Sequence, residues 1–269
     1  MSAPSPAKPV AAALPSATIL MLRDGPAGLE VFMVKRNYQI DFAGGALVFP
    51  GGKLAEGDSD PALINHIYGS ADLTPDQIAL RVAAIREAFE EAGLFLARAI
   101  GGKDLIDAAR LDDIHHYRAL LDRGEVDIGA MLAAEDLILD LAALVPFAHW
   151  ITPVMMPKRF DTHFYLAAAP GAQIGAHDGQ ESVDSVWIGP QHALDQAAAG
   201  QLTIIFPTRM NLQKLAQCRT VADAMDAARN SPVMTVTPWI EHRDGKQYLL
   251  IPADAGYGDV AEPLDKAFR

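Results

Sequence analysis

The order of apolar and polar positions divides the chain into short strands, one long helix and a mixed second half. Thr18-Ile19-Leu20-Met21-Leu22-Arg23 and Leu29-Glu30-Val31-Phe32-Met33-Val34-Lys35 are apolar runs separated by Asp24-Gly25-Pro26-Ala27-Gly28, a pattern that predicts a hairpin of two adjacent strands. A brief apolar strand from Phe42 then runs into Gly51-Gly52, where glycine allows the backbone to approach a ligand closely. Residues 55–74 read as a loop with one short helix over Pro61–Tyr68. Thr74-Pro75-Asp76-Gln77 is a strong helix start: Thr74 at the N-cap, Pro75 in the first turn, and Gln77 three residues after the cap. The helix is expected from Pro75 to about Ala99, with Ile78, Val82, Ile85, Phe89 and Leu96 as its apolar stripe.

Beyond that helix, Lys103 to Ala143 predicts two or three short helices, and strands resume with Leu144–Ile151 and Arg159–Ala168. Alternation on the latter puts Arg159, Asp161, His163 and Tyr165 on one face, a pocket wall or an exposed sheet surface. After a polar loop come a strand at Val183–Ile188 and helices at Gln191–Ala199, Arg209–Gln217 and Val221–Arg229. Val233–Ile240 and Gln247–Ile251 form a hairpin around Asp244-Gly245. The apolar run Leu202–Phe206 reads as a core strand, with an interface strand as the alternative.

The chemistry gathers on the long helix. Glu87, Glu90 and Glu91 stand at i, i+3 and i+4, so their Cβ atoms are neighbours on one face. Like charges so placed destabilise a bare helix by roughly 0.2–0.5 kcal/mol per close pair. The face is either a solvated acidic surface or a binding site for a hard divalent ion, Mg²⁺ or Mn²⁺, whose preferred donors are carboxylate oxygens.

Composition narrows the setting. Half of the 269 residues are hydrophobic, enough for one substantial core with an appendage. The net charge is −12 and no Lys/Arg run exceeds two residues, which argues against a nucleic-acid polymer or an anionic membrane as partner. Cys218 is the single cysteine, so no intrachain disulfide forms, and a reducing, cytoplasmic setting is expected with Cys218 as a packing residue. Residues 1–16, rich in Ala, Pro and Ser, are expected to be a mobile tail and not a signal peptide. His115 and His116 are adjacent, which on a helix points them about 100° apart and unsuits them to one metal.

Taken together, Gly52, Asp58 and the run Arg86-Glu87-Ala88-Phe89-Glu90-Glu91-Ala92-Gly93-Leu94 resemble the signature of the Nudix hydrolase family. Asp58 stands where the family has a glutamate, Ala88 is small for an aliphatic place, and twenty-seven residues separate Asp58 from Arg86 where the family pattern is far shorter. This interrupted box, with Trp150-Ile151-Thr152-Pro153 and Lys158–Phe164 downstream, resembles the branch that includes a peroxisomal coenzyme A diphosphatase.

The resemblance implies an α/β/α sandwich with a mixed sheet, a helical insert and a C-terminal extension. Residues 17–206 would be the Nudix domain, with 59–74 inserted in the box and a helical insert at about 103–143; residues 207–269 would pack on the core. It also implies hydrolysis of a diphosphate bond in a nucleoside diphosphate linked to another moiety, coenzyme A or acyl-coenzyme A first, a nucleotide sugar or dinucleotide second. A nucleotide-binding sensor without hydrolysis is the reading from another class. The metal ligands would be Glu87, Glu90, Glu91 and the Gly52 carbonyl, with Glu87 binding metal or orienting water. Glu181, with Asp178 in reserve, would be a further ligand or the base. Arg159 and Arg36 would bind substrate, while Arg86, Asp58 and Gly93 would be structural. Relatives of this kind commonly form homodimers, which is carried as an expectation.

Overall fold

The computed structural model describes residues 10–36, 45–171, 173, 175 and 182–267. The two opening strands form as expected: β1 (Ala13–Gly25) and β2 (Gly28–Arg36) are antiparallel, with Leu22 opposite Val31. β3 (Leu47–Val48) pairs with β2, and β4 (Gly51–Lys53) pairs with the first half of β1, setting Gly52 beside Ala17. Next come β5 (Ile67–Tyr68), the long helix α1 (Pro75–Ala92) and β6 (Ala97–Ala99).

The insert holds three short helices, α2 (Ala108–Asp113), α3 (Tyr117–Asp122) and α4 (Ile128–Ala134), and one strand, β7 (Leu137–Asp140). The main sheet then resumes with β8 (Val145–Ile151), β9 (Arg159–Ala168) and β10 (Ser182–Ile188). Helices α5 (Pro190–Ala198), α6 (Phe206–Leu215) and α7 (Val221–Arg229) follow, then β11 (Thr235–Val236), the hairpin of β12 (Trp239–Arg243) and β13 (Lys246–Leu250), β14 (Ala261–Pro263) and α8 (Leu264–Ala267).

The main sheet runs β10-β2-β1-β9-β8-β11, with β3 and β4 attached to β2 and β1. It is mixed: β1 and β9 are parallel, while β9 and β8 are antiparallel. Alternation along the strands feeds two cores. Ala17, Ile19, Met21, Phe32, Val34, Tyr165 and Ala167 face α1 and the insert. Leu20, Leu22, Val31, Met33 and Leu166 face the opposite way, toward Met210 and Leu212 of α6 and Met225 of α7. The result is an α/β/α sandwich with α1 clamped between the sheet and the insert, which is why every residue from Ala79 to Ala92 is buried.

Four expectations need correction. The first strand starts at Ala13 and not near Ala17, because Ala13–Ser16 pair with Arg159–Thr162 of β9 and so satisfy their backbone groups. The long helix ends at Ala92 and not near Ala99: Gly93 takes φ 62°, a left-handed cap whose N–H reaches the Ala88 and Phe89 carbonyls. Residues 61–66 wind into a 3₁₀ turn, and Ile67–Tyr68 continue as a strand. Leu202–Phe206 is no strand. Ile205 is the N-cap of α6, a proline opens that helix, and the Thr203 carbonyl accepts the Leu47 N–H.

β7 pairs with β5 on one side and β6 on the other. The residues inserted in the box and the helical insert are therefore knitted into one small sheet beside α1, and do not hang as separate loops.

Candidate active site

The start of α1 is fixed locally. Thr74 Oγ1 accepts the Gln77 N–H at 3.3 Å and Gln77 Oε1 accepts the Thr74 N–H at 3.0 Å, a reciprocal cap that sets the helix phase. Three turns later that phase delivers Arg86, Glu87, Glu90 and Glu91 to the edge of the sheet at β4.

Arg86 is the hub. Its Nε and Nη2 donate to the two oxygens of Asp58 at 2.8 and 3.0 Å, a bidentate fork across a sequence separation of 28. Nη2 also donates to the Lys53 carbonyl at 3.0 Å. Nη1 reaches both oxygens of Glu90, at 3.1 and 3.0 Å, and Glu87 Oε1 at 2.9 Å. One guanidinium thus closes the interrupted box: the segment between Asp58 and Arg86 loops away, and its two ends are held by paired charge-assisted bonds. Asp58, 1% exposed, is anchored in turn by the Ala55 N–H at 2.8 Å. The shorter aspartate suffices because the 3₁₀ turn Glu56–Ser59 carries it to the guanidinium.

Backbone proximity does the rest. A Cβ on Gly52 would lie 2.4 Å from Glu87 Oε1, so glycine is needed for Glu87 to lie against β4. The Gly51 N–H donates to Glu91 Oε2 at 3.0 Å. Glu91 is drawn to Gly51, and Glu87 and Glu90 to Arg86. As a result their oxygens do not gather as a trio within 4.8 Å, although all three residues share one helix. The insert supports them from outside: Arg118 Nε donates to the Glu90 carbonyl at 3.0 Å, and its Nη1 meets His115 Nε2 at 3.1 Å. His116 instead lies against the Tyr117 ring.

Burial makes this acidic group electrostatically expensive. Glu87, Glu90 and Glu91 are 8%, 7% and 9% exposed. Burial pushes the Glu87 carboxyl up to about 7; Arg86 opposes the rise and Glu90 adds to it. Burial likewise raises Glu90 against the pull of Arg86. Burial works against the Arg86 guanidinium, but Glu87, Asp58 and Glu90 outweigh it and hold it above its usual range.

A stability prediction follows from Glu87. Between its ordinary value of 4.5 and about 7, the folded chain keeps a proton that the unfolded chain has released. This group's contribution to stability is full below about pH 4.5 and is lost as pH rises through about 7. In chelator-treated protein, thermal melts at about pH 5 and about pH 8 should show wild type losing stability relative to Glu87→Gln as pH rises. Equal slopes for the two proteins would remove the effect.

The remaining sequence-derived residues fall elsewhere. Glu181 and Asp178 lie outside the described residues. Arg36 closes β2, exchanging backbone bonds with Ala46 and Gly45 next to the place where β4 replaces β2 beside β1. Arg159 is committed to the backbone: Nε donates to the Thr152 carbonyl at 3.0 Å and Nη1 to the Ala11 carbonyl at 2.8 Å. Level with Gly52 across β1 stands His163, and Arg159 lies four positions, about 13 Å, further down β9. Asp161, on the same face of β9 as Arg159, pairs with His149. Gly93 caps α1. Cys218 is half-buried against the second core, and burial raises its thiol, in keeping with a packing role.

Sequence reasoning missed one grouping. Asp161 and His163 were placed on one face of a strand, but their neighbour His149 comes from β8, and only the strand register brings it opposite His163. Burial, then His149 and Arg81, lower His163 to about 4, so its ring is neutral at ordinary pH.

The profile described as the NUDT19 Nudix domain matches residues 60–215, a span that contains Arg86–Leu94 but starts after Gly52 and Asp58. The chain is 24% identical over 227 residues to the acyl-coenzyme A diphosphatase NUDT19 of Xenopus laevis, covering 69% of this chain and 59% of that protein. It is 25% identical over 287 aligned positions to the Homo sapiens protein of the same name, covering 90% and 76%. It therefore spans about three fifths of the frog relative's length. A crystal structure of a NUDIX hydrolase from Alicyclobacillus acidocaldarius superposes with TM-score 0.68 at 28% identity, over 82% of this chain and 99% of that one. Among the described residues no helix is long and apolar enough to cross a membrane.

Proposed function

The chain belongs to the Nudix family, in the group described by the NUDT19 Nudix domain, and from that premise we propose that it hydrolyses the diphosphate bond of coenzyme A or an acyl-coenzyme A with the help of a divalent ion. The observation that carries the proposal is the Arg86 hub, which binds Asp58, Glu87 and Glu90 into one buried acidic assembly against the glycines of β4.

Donor chemistry supports a metal here. Asp58, Glu87 and Glu90 share one guanidinium with Glu91 beside them on the Gly51 N–H, and burial pushes Glu87 toward the protonated state, a perturbation of the kind found at functional sites. Glu90 and Glu91 would hold the ion, with Glu87 as ligand or water-orienting group and the Gly52 carbonyl as a further donor. Mg²⁺ or Mn²⁺ fits such oxygen donors. Bound there, the ion would neutralise diphosphate oxygens and lower the pKa of water.

The chain's own residues do the positioning. Arg86 fixes the rotamer of Glu90 and holds Glu87 by one oxygen. Gly51 holds Glu91 by its N–H, and Gly52 provides the space into which Glu87 reaches. The coenzyme A assignment rests on the names of the frog and human relatives and on the resemblance of this chain's interrupted box to that branch of the family.

The test is turnover with Mg²⁺ and with Mn²⁺ on coenzyme A, acyl-coenzyme A, ADP-ribose, NADH, UDP-glucose and dinucleoside polyphosphates, with products identified by mass. Release of an adenosine bisphosphate half and a phosphopantetheine half is the expected result. Cleavage of a nucleotide sugar or dinucleotide alone would overturn the substrate assignment and keep the chemistry.

A further inference from the structure

Two imidazoles and a carboxylate meet on the α1-facing side of the main sheet, on strands β8 and β9. The β8–β9 register places His149 directly opposite His163, and their rings stack with centroids 4.0 Å apart and planes 18° from parallel. Asp161, two residues before His163 and on the same face, points Oδ1 at both: 2.5 Å from His149 Nε2 and 3.8 Å from His163 Nε2. One donor atom from each residue lies within 4.8 Å of the others, the one such trio among the described residues. From the neighbouring β11, Thr235 Oγ1 sits 2.8 Å from His149 Nδ1.

We infer that His149, Asp161 and His163 form a binding site for a divalent transition-metal ion, with zinc the best match to their donors. Donor type is the first reason. Imidazole nitrogen favours zinc and its neighbours over magnesium or calcium, whereas the acidic helix offers only oxygen. Spacing is the second. Ligands about 2.0–2.1 Å from a tetrahedral zinc stand about 3.3–3.4 Å from one another. The separations of 2.5 and 3.8 Å straddle that value, and rotation of the stacked rings would turn both nitrogens onto one ion.

Orientation is the third reason. His149 Nε2 and Asp161 Oδ1 share a proton at 2.5 Å; were an ion to take that proton's place, Nδ1–H would donate to Thr235 Oγ1 and steady the imidazole as a ligand. The three ligands ride on adjacent strands of the main sheet, a rigid mount, and remain partly exposed, so an ion can enter. Three protein ligands leave a further coordination position open. Since His163 lies beside Ala17, whose other neighbour is Gly52, the site is two strand spacings, about 10 Å, from the box glycine.

The experiment uses chelator-stripped full chain in excess Mg²⁺, which occupies oxygen-only sites. Co²⁺ is titrated while its visible d–d absorption is followed, and Zn²⁺ is then added in competition. The expected result is one equivalent of Co²⁺ with the intense bands of a low-coordinate site, displaced by one equivalent of Zn²⁺. The signal should persist in Glu90→Gln and vanish in His163→Ala and Asp161→Asn, with folding checked by circular dichroism. Thr235→Val, which keeps all three ligands, should bind about 10-fold more weakly and covers the case in which the ligand variants do not fold. No Co²⁺ or Zn²⁺ binding in excess Mg²⁺ would overturn the site, as would undiminished binding in folded His163→Ala and Asp161→Asn, or in Thr235→Val if those two do not fold.

Discussion

Glu90→Gln and Glu91→Gln are each expected to lower kcat for diphosphate hydrolysis at least about 100-fold, equivalent to about 2.7 kcal/mol of lost transition-state stabilisation. Glutamine preserves shape and can still meet Arg86 or Gly51, so the fold should survive. Asp58 and Glu87 continue to pair with Arg86 when Glu90 is neutral, and the N–H of Gly51 can donate to an amide oxygen at position 91 as it does to the carboxylate. What each change removes is one negative charge from the buried acidic face of α1. The measurement is steady-state kinetics at saturating Mg²⁺ beside a thermal melt. Near-wild-type kcat in both variants would remove these carboxylates from the chemistry.

The second large effect concerns stability. Arg86→Lys should destabilise the chain by about 3–5 kcal/mol, read as a lower denaturant midpoint, because a single ammonium cannot reproduce the planar fork. Asp58 is the most deeply buried of its partners and is held through both oxygens. Breaking that fork leaves a carboxylate in the core with the Ala55 N–H and whatever the ammonium can reach. Asp58→Ala should also destabilise the chain, by leaving Arg86 Nε without its carboxylate partner while Glu87 and Glu90 still hold Nη1. The double variant should then cost less than the sum of the two, as expected for residues in one network. Additive costs would show that the fork does not close the box.

How far the sequence could carry this picture depended on whether a feature was local. Thr74-Pro75-Asp76-Gln77 marks its own helix start, and the spacing of Glu87, Glu90 and Glu91 fixes their shared face, because both rest on contacts within one helix. Strand β9 was legible end to end from its alternation. The end of α1 was misjudged because the apolar positions Leu94 and Leu96 continue past Gly93, so the stripe suggested more helix where a left-handed glycine stops it.

The features that decide the chemistry are non-local. Asp58 was paired with Arg86 only through resemblance to a family pattern, and the fork itself exists because β4 and the turn at Glu56–Ser59 bring the two ends together. Arg159 looked like a phosphate ligand by residue type. Its Nε and Nη1 donate to the carbonyls of Thr152 and Ala11, the latter from the very segment read as a mobile tail. The His149–His163 pair depends on a register between β8 and β9 that includes a shift between Pro146 and Ala148, which no periodicity announces.

The most direct test of the central claim is turnover of acyl-coenzyme A by chelator-stripped protein before and after Mg²⁺ or Mn²⁺ is restored. The account predicts no hydrolysis without the ion and its recovery with either one, with the diphosphate bond as the one broken. Turnover that persists in stripped protein would contradict the metal-dependent mechanism. Divalent ion bound with no diphosphate cleaved at all would point instead to a nucleotide-binding module built on this fold.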